Sequence, residues 1–136
     1  MRFHTNGETV ETHFIPKPTH GGFKDVVHGG LIATVLDEIM VWACAIKVKK
    51  FSYCAELNVR FILPLRPGEE AVATGELVAN RRNRIFEAKS EIRDPGGNVL
   101  ATATGKYLPI PEERATAWAE EIVGDPKAMF GEDGTN

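Results

Sequence analysis

Two adjacent carboxylates, Asp37 and Glu38, interrupt the most apolar stretch of the sequence, which runs from Leu31 to Ile46. A carboxylate buried without a partner is costly, so a chain that keeps one there needs a reason for it. Neighbouring helix residues point about 100° apart, so the two cannot share one role. Asp37 lies two turns after Gly30, on the face of the helix start, whereas Glu38 turns away from it. We treat Asp37 as the catalytic candidate; the structural alternative is a carboxylate that faces a solvated seam or pairs with an arginine.

The second candidate feature is His28-Gly29-Gly30, which stands directly before the apolar stretch. Glycines at a helix start expose backbone N–H groups at the positive end of the helix dipole, where a phosphate or the oxyanion of a carbonyl addition can bind. A plain turn before the helix is the alternative. Together with Asp37, these amides would form the minimum site for transfer of an acyl group to water. For His28 we favour an orienting or capping role over that of a general base.

Gly29 and Asp37 are too far apart along one helix to act on the same carbonyl group. Their separation in the sequence corresponds to ~12 Å of helix rise, of which the lean of the side chain recovers ~2–3 Å. An oxyanion donor and a nucleophile must each lie about 3 Å from the reacting group. Two antiparallel helices across a two-fold axis would bring Gly29 of one chain to Asp37 of the other. The sequence therefore predicts an obligate homodimer with two composite sites.

Three arginines stand close together in Arg81-Arg82-Asn83-Arg84, at the junction of two predicted strands. Guanidinium groups bind phosphates through paired hydrogen bonds, and coenzyme A carries a pyrophosphate and a 3′-phosphate. We therefore consider these residues a candidate clamp for the coenzyme. A solvated hairpin loop is the alternative.

Composition excludes several classes of function. The chain has 136 residues, of which 43% are hydrophobic and 26% charged, which is typical of one ordinary globular domain. A formal net charge of -3 gives no attraction to nucleic acid or to an anionic membrane. The two cysteines do not make a disulfide framework, the N-terminus lacks the apolar core of a signal peptide, and the apolar stretch is too short and too charged for a membrane span. We expect a cytoplasmic protein that binds neither nucleic acid nor membrane.

No metal site and no resident cofactor are expected. The histidines outside the candidate site, His4, His13 and His20, have no metal-ligand spacing. The sequence contains no phosphate loop, no dinucleotide fingerprint and no Gly-x-Ser-x-Gly elbow. Coenzyme A would enter only as part of the substrate.

The elements that must position these residues follow from periodicity. Alternation predicts a strand at 10–14, and the stretch 31–46 predicts a helix surrounded by protein. Four strands follow, at 55–63, 71–79, 86–92 and 99–108; their short connections predict an antiparallel meander, and the first should bury one face. Because only the helix is apolar enough to fill the sheet, the sheet should curl around it in an α+β fold over residues 1–111. Residues 112–136 are interpreted as an acidic tail with a short helix at 114–123 and a disordered end.

The segment VHGGLIATVLDE, from Val27 to Glu38, resembles the signature of hotdog-fold acyl-CoA thioesterases, in the branch of the phenylacetate pathway and the 4-hydroxybenzoyl-CoA thioesterases. The segment AELNVRF and the following PL and PG pairs are similar to the next strand and turn of that family, and the resemblance extends over residues 20–108. It implies thioester hydrolysis at a dimer interface, often with two dimers in a tetramer. The residue at the place of Asp37 would act as nucleophile or as base for water, and the amide at the place of Gly29 would polarise the carbonyl.

The chain departs from the family pattern at two positions. Some relatives have an asparagine six residues before the histidine, where this chain has Gly22. Relatives often have a serine or threonine to hold the water where this chain has Cys54, whose thiol is a weak donor. Cys54 and Gly30 are included among the candidate substrate-binding residues.

Three functions compete at this point. The first is an acyl-CoA thioesterase that uses Asp37 and the Gly29 amide. The second is a hotdog hydratase or dehydratase of acyl thioesters, in which His28 and Asp37 would form a base and carboxylate pair. The third is a non-catalytic acyl-CoA-binding protein, which would bind without turnover. An enoyl-CoA separates the first two, because hydrolysis releases a thiol and hydration does not.

Overall fold

A computed structural model describes residues 2–17, 21–23 and 26–111. Its elements, in chain order, are β1 (Phe3–Thr5), β2 (Thr9–Phe14), β3 (Gly21–Phe23), β4 (Val26–Val27), α1 (Gly29–Val48), β5 (Ser52–Phe61), β6 (Ala71–Arg81), β7 (Ile85–Arg93) and β8 (Val99–Pro109). The predicted tail at 112–136 and His20 lie outside the described residues.

Six strands form one antiparallel sheet in the order β1-β2-β6-β7-β8-β5. Strands β6, β7 and β8 follow one another through hairpins, as their short connections predict. The predicted meander is wrong for β5, which pairs with β8, whereas β6 is bordered by β2. The connection at 62–70 is long enough to carry the chain across the sheet between the two, so proximity in sequence did not decide the pairing.

Helix α1 packs against one face of this sheet and supplies much of the core. The helix approaches most closely where it crosses β6 and β7. A Cβ atom on Gly75 would lie 3.1 Å from the carbonyl oxygen of Ile39, and the Ser90 hydroxyl donates a hydrogen bond of 3.1 Å to the carbonyl of Leu36. Among the described residues, one helix packed on a six-stranded antiparallel sheet confirms the hotdog architecture. The buried side chains of the helix are Ile32, Val35, Leu36, Ile39, Met40, Trp42, Ala43, Cys44 and Ala45.

The helix confirms the prediction for 31–46 and extends it at both ends. It ends at Val48, and the capping residue Lys49 has a φ of 58° and donates its N–H to the carbonyl of Ala45 at 2.8 Å. Contrary to the prediction, one chain does not surround it. Thr34 and Glu38 are exposed and Asp37 is half-buried, so a stripe on the side away from the sheet stays uncovered. In the described part of the chain, no helix combines the length and apolar character that crossing a bilayer requires.

Strand β5 also differs from its prediction of one buried face. Almost all its side chains are exposed, including those of Leu57 and Phe61 at 37% and 55%. The reason is its position, because β5 is the last strand of the sheet and its outer edge has no neighbour among the described residues. The alternating apolar side chains of β5 are therefore exposed to solvent in the single chain.

Strands β2, β6, β7 and β8 follow the predicted alternation, whereas β1, β3 and β4 were not predicted. In β7 the alternate residues Phe86, Ala88, Ser90 and Ile92 are buried, and the charged residues between them face away from the helix. The turn between β1 and β2 contains Asn6, whose Oδ1 accepts the N–H groups of Glu8 and Thr9 at 2.8 and 2.9 Å. Asn6-Gly7 is a strong hairpin signal in sequence, and it would have located β1.

Candidate active site

Asp37 lies on the uncovered stripe of α1 and is anchored by Tyr107 of β8. The Tyr107 hydroxyl donates a hydrogen bond of 2.7 Å to Oδ1 of Asp37 and lies 3.4 Å from its backbone carbonyl oxygen. Tyr107 is fully buried. Burial, and then the adjacent Asp37 carboxylate, raise the pKa of Tyr107 far above its ordinary value, so the hydroxyl remains a neutral donor. Within the described residues, no Lys, Arg or His side chain forms an ion pair with Asp37.

Cys54 belongs to the same cluster. It pairs with Tyr107 across β5 and β8, at a bulge where the register shifts between Cys54 and Glu56. Its thiol donates to the Glu56 carbonyl at 3.4 Å. Burial and the charge of Asp37 raise the pKa of the Cys54 thiol, which therefore stays protonated at neutral pH. The structure brings Cys54 to Asp37 as a neutral group.

The helix start gives its two glycine amides different environments. His28 is the N-cap, and its Nδ1 accepts the N–H of Gly30 at 2.8 Å. A Cβ at Gly30 would lie 2.9 Å from that Nδ1, so only glycine leaves room for the ring. This corrects the expectation that both amides face a ligand, because the Gly30 amide is already occupied. His28 is placed as a capping residue, the role favoured from the sequence, and its neutral ring carries the proton on Nε2.

The Gly29 amide is the donor that remains. It makes no hydrogen bond to a described residue. The ring of Phe61 lies beside this residue, since a Cβ at Gly29 would be 3.3 Å from Cζ of Phe61. The helix therefore presents one N–H without a described partner at its positive end, at a residue that packs against an exposed aromatic ring of β5.

Gly29 and Asp37 lie near opposite ends of β5. Gly29 is at the Phe61 end, and Asp37 is at the Cys54 end through Tyr107. Along the helix they are ~12 Å apart. Because both residues lie on the one continuous helix α1, a single chain keeps this donor and this carboxylate too far apart for one carbonyl group.

The four residues of the arginine segment form the tight turn between β6 and β7. Arg82 and Asn83 have φ values of 55° and 57°, and Arg84 donates its N–H to the carbonyl of Arg81 at 3.0 Å, which is a type I′ hairpin. Arg81 forms an ion pair with Glu87 at 3.1 Å. The side chains of Arg82 and Arg84 are exposed and form no ion pair with a described residue.

This hairpin and the Asp37 cluster lie at the same end of the sheet. One row of paired residues runs across four strands, from Asn80 through Phe86 and Tyr107 to Cys54. Neighbouring strands are ~4.8 Å apart, so Asn80, next to the turn, lies ~10 Å from Tyr107. The register therefore places two exposed guanidinium groups near the candidate carboxylate.

The remaining charged side chains do not converge. Across the described ranges, no group of three or more His, Cys, Asp or Glu residues could hold a metal ion. His13 bridges Glu11 and Glu70 at 2.6 and 3.0 Å on the exposed side of β2. The hydrogen bonds to Glu70 and Glu11 raise the pKa of His13.

The sequence profile of the thioesterase superfamily matches residues 24–101 of this chain. The chain belongs to this superfamily. The matched stretch covers α1, β5, β6, β7 and the first residues of β8, and it stops before Gly105 and Tyr107. No curated protein sequence matches the chain significantly.

Solved structures of other thioesterase superfamily proteins share the fold. One such protein is 25% identical with a TM-score of 0.72 over 77% of this chain, and the chain spans only 53% of that protein's length. The PaaI protein of Escherichia coli, from the phenylacetic acid degradation operon, is 16% identical with a TM-score of 0.71, over 76% of this chain and 73% of its own. A Streptococcus mutans protein solved with bound acetyl-CoA is 16% identical with a TM-score of 0.70, over 76% of this chain and 82% of its own.

Two residues of the cluster were not predicted from the sequence, Tyr107 and Gly105. A Cβ at Gly105 would lie 2.7 Å from Cε2 and 3.0 Å from the hydroxyl of Tyr107, so the ring covers this glycine. The signal in the sequence was a tyrosine at an inward position of β8, because a buried tyrosine hydroxyl needs a polar partner. The alternation of β8 predicts that Tyr107 points inward, but it does not predict which residue accepts the hydrogen bond of its hydroxyl.

Proposed function

We propose that this superfamily member hydrolyses acyl-CoA thioesters to a free acid and coenzyme A. The observation that carries the proposal is the half-buried carboxylate of Asp37, held at one oxygen by Tyr107 and unpaired with any cation in the described chain. An oriented carboxylate in partly desolvated surroundings is suited to attack a carbonyl or to take a proton from water. The acetyl-CoA in the Streptococcus mutans relative supports the ligand class.

Two reaction routes could use this carboxylate. In the first, an Asp37 oxygen attacks the thioester carbon, the C–S bond breaks to release the coenzyme A thiolate, and water hydrolyses the resulting anhydride to the free acid. In the second, Asp37 takes a proton from water while the water oxygen attacks, and the proton passes to the leaving sulfur. In either route the Gly29 amide of a neighbouring chain would stabilise the oxyanion. A single turnover in heavy-oxygen water tests the first route, because label enters Asp37 only when water attacks the Asp37 carbon of the anhydride.

The working unit is proposed to be a homodimer joined along β5. The outer edge of β5 is long, carries exposed Leu57 and Phe61, and has no neighbouring strand among the described residues. Such an edge readily pairs with another strand. Antiparallel pairing of two β5 strands would set the Phe61 end of one chain beside the Cys54 end of the other. That arrangement would bring Gly29 of one chain to Asp37 of its partner, which makes the composite site. Association of two dimers into a tetramer remains part of the proposal.

Coenzyme A is proposed to bind with its phosphates at the β6–β7 hairpin. Arg82 and Arg84 are exposed at this turn, ~10 Å or a little more from the Asp37 cluster by the strand spacing. Arg81 would contribute less, because Glu87 already holds it. The substrate's pantetheine arm would lie between subunits, and no cofactor beyond the substrate's own coenzyme is invoked.

The test is release of free thiol from acyl-CoA by the wild-type protein and by Asp37→Asn. We expect the substitution to lower kcat by roughly a thousandfold, because it removes the reacting carboxylate without changing its shape. Glu38→Gln is the matched control, since the next residue of the same helix is an exposed carboxylate. A panel of short, long and aromatic acyl-CoAs then defines the acyl group.

Three results would contradict the proposal. Asp37→Asn with near-normal thiol release would remove Asp37 from the reaction. A change in the absorbance of an enoyl-CoA without thiol release would instead identify a hydratase. Tight binding of acyl-CoA by a wild-type protein that releases no thiol would identify a binding protein.

A further inference from the structure

The hydrogen bond between Tyr107 and Asp37 is a short, buried contact between two elements of the fold. Its length of 2.7 Å is typical of a hydroxyl bound to an ionised carboxylate. Tyr107 is fully buried, so its hydroxyl has no access to bulk water and needs this acceptor. The two residues come from different elements, a helix and a strand, which makes the contact a tertiary one.

Gly105 allows the tyrosine ring to reach the helix. Gly105 and Tyr107 lie on the same face of β8, and a Cβ at 105 would be 2.7 Å from the ring, closer than such atoms can approach. Any other residue at 105 would push the ring away from its present place. A glycine in the interior of a strand weakens it, and here the covering ring explains the choice.

The groups around the Tyr107 hydroxyl keep it protonated. Asp37 and Cys44 face it from α1, and Cys54 faces it from β5. Each of them is an anion or a neutral thiol, and none is a cation. The hydroxyl can therefore only donate to Asp37, and this bond fixes the carboxylate at Oδ1.

We propose that Tyr107 is a positioning residue for Asp37, holding the carboxylate through Oδ1 in the orientation that presents Oδ2 to the thioester. This inference rests on the proposed function and adds a residue to it. It also supplies an anchor in a site where a cysteine stands in place of a serine or threonine. Tyr107 lies outside the stretch that matches the superfamily profile.

The first experiment is Tyr107→Phe, assayed by thiol release over a range of acyl-CoA concentrations. The phenyl ring still covers Gly105 and only the hydroxyl is lost. We expect kcat to fall about 10- to 100-fold with little change in KM, because a misoriented carboxylate slows the chemical step without altering binding.

The second experiment retains the Tyr107 hydroxyl but displaces it from Asp37. Gly105→Ala leaves both Asp37 and Tyr107 in the sequence but displaces the ring, and we expect a loss of kcat similar to that of Tyr107→Phe. Gly96→Ala is the control for the added methyl, because its Cβ would meet only the side chains of Asn98 and Asp94, in the turn between β7 and β8. Unchanged kcat in Tyr107→Phe and Gly105→Ala, with Asp37→Asn inactive, would overturn the positioning role and leave the proposed function standing. If Asp37→Asn retained its activity, the proposed function itself would fail.

The ionisation of Tyr107, followed by tyrosinate absorbance, tests the contact without the Tyr107→Phe variant. The chain has two tyrosines, so Tyr107 is the only one in Tyr53→Phe, and tyrosinate absorbance reports its ionisation alone. Adding Asp37→Asn should let Tyr107 ionise at a lower pH, because the neighbouring negative charge is gone. Identical alkaline titrations with and without Asp37→Asn would show that the two groups do not interact, and would overturn the proposal.

Discussion

Ser90 in β7 donates a hydrogen bond of 3.1 Å to the carbonyl of Leu36, the residue before Asp37, and so ties the helix to the sheet beside the catalytic candidate. A second buried serine, Ser52 at the start of β5, has a hydroxyl without a hydrogen-bond partner among the described residues. The two serines therefore allow a comparison of what a bonded and an unbonded buried hydroxyl contribute to the free energy of unfolding.

We expect Ser90→Ala to lower the free energy of unfolding by about 1 kcal/mol, the usual net value of a buried hydrogen bond. Ser52→Ala should leave it unchanged or raise it, because it removes a desolvated group that has no partner. Urea denaturation of the two variants and the wild type measures both values. Equal losses of stability in the two variants would contradict the assignment.

The β6–β7 hairpin allows stability and ligand binding to be separated. Arg82 has a φ of 55°, a conformation that asparagine tolerates better than arginine. We expect Arg82→Asn to raise the free energy of unfolding by about 0.5–1 kcal/mol while weakening the binding of coenzyme A, because one phosphate contact is lost.

The measurements are urea denaturation and calorimetric titration with coenzyme A at two salt concentrations. Arg66→Asn is the control, since it removes the same charge from an exposed position in the loop after β5. Affinity that falls equally in both variants would point to general electrostatic attraction, and unchanged affinity in Arg82→Asn would remove this arginine from the coenzyme site.

The composite site is tested by mixing two inactive variants. Gly29 is the first residue of the helix, where proline is well accepted, and His28 has a φ of -57° and a ψ of 133°, which suit a residue before proline. Gly29→Pro therefore removes the proposed oxyanion donor, whereas Gly29→Ala adds a Cβ against Phe61 and keeps the amide.

We expect Gly29→Pro and Asp37→Ala to be inactive alone and to recover about a quarter of the wild-type activity after mixing and subunit exchange, because half of the randomly formed dimers hold one intact site. Gly29→Ala should retain more activity than Gly29→Pro. A mixture that stays inactive, although mass spectrometry finds heterodimers, would place donor and carboxylate in the same chain or remove Gly29 from the site.

Local sequence patterns were enough to predict the helix and to select Asp37 as the catalytic candidate. The apolar stretch around Asp37 predicts a helix, and the cost of burying a carboxylate is enough to single out Asp37 from the sequence. Two features depend on tertiary contacts that no local pattern encodes. Strand β5 pairs with β8 instead of β6, and Tyr107 reaches Asp37 across 70 residues of sequence. At the helix start, His28 and Gly30 bond to each other, so only the Gly29 amide remains for a ligand.

The buried cysteine of the helix should make stability fall in alkaline solution. Burial raises the pKa of Cys44 to about 12 from an ordinary value of 9.0, and the pKa of Tyr107 is raised in the same direction. Between those pH values the unfolded chain loses the thiol proton while the folded chain keeps it. The contribution of Cys44 is therefore fully present below pH 9.0 and declines toward pH 12, by at most ~1.4 kcal/mol per pH unit.

We expect Cys44→Ala to be less stable than the wild type at neutral pH, because it leaves a small cavity, but to lose stability less steeply above pH 9.0. Urea denaturation at a series of alkaline pH values gives both slopes. Cys54→Ala is the control, because this thiol is exposed and should change the slope less. Parallel curves for Cys44→Ala and the wild type would mean that the Cys44 thiol ionises as readily in the folded chain as in the unfolded one, which is incompatible with its complete burial in the core.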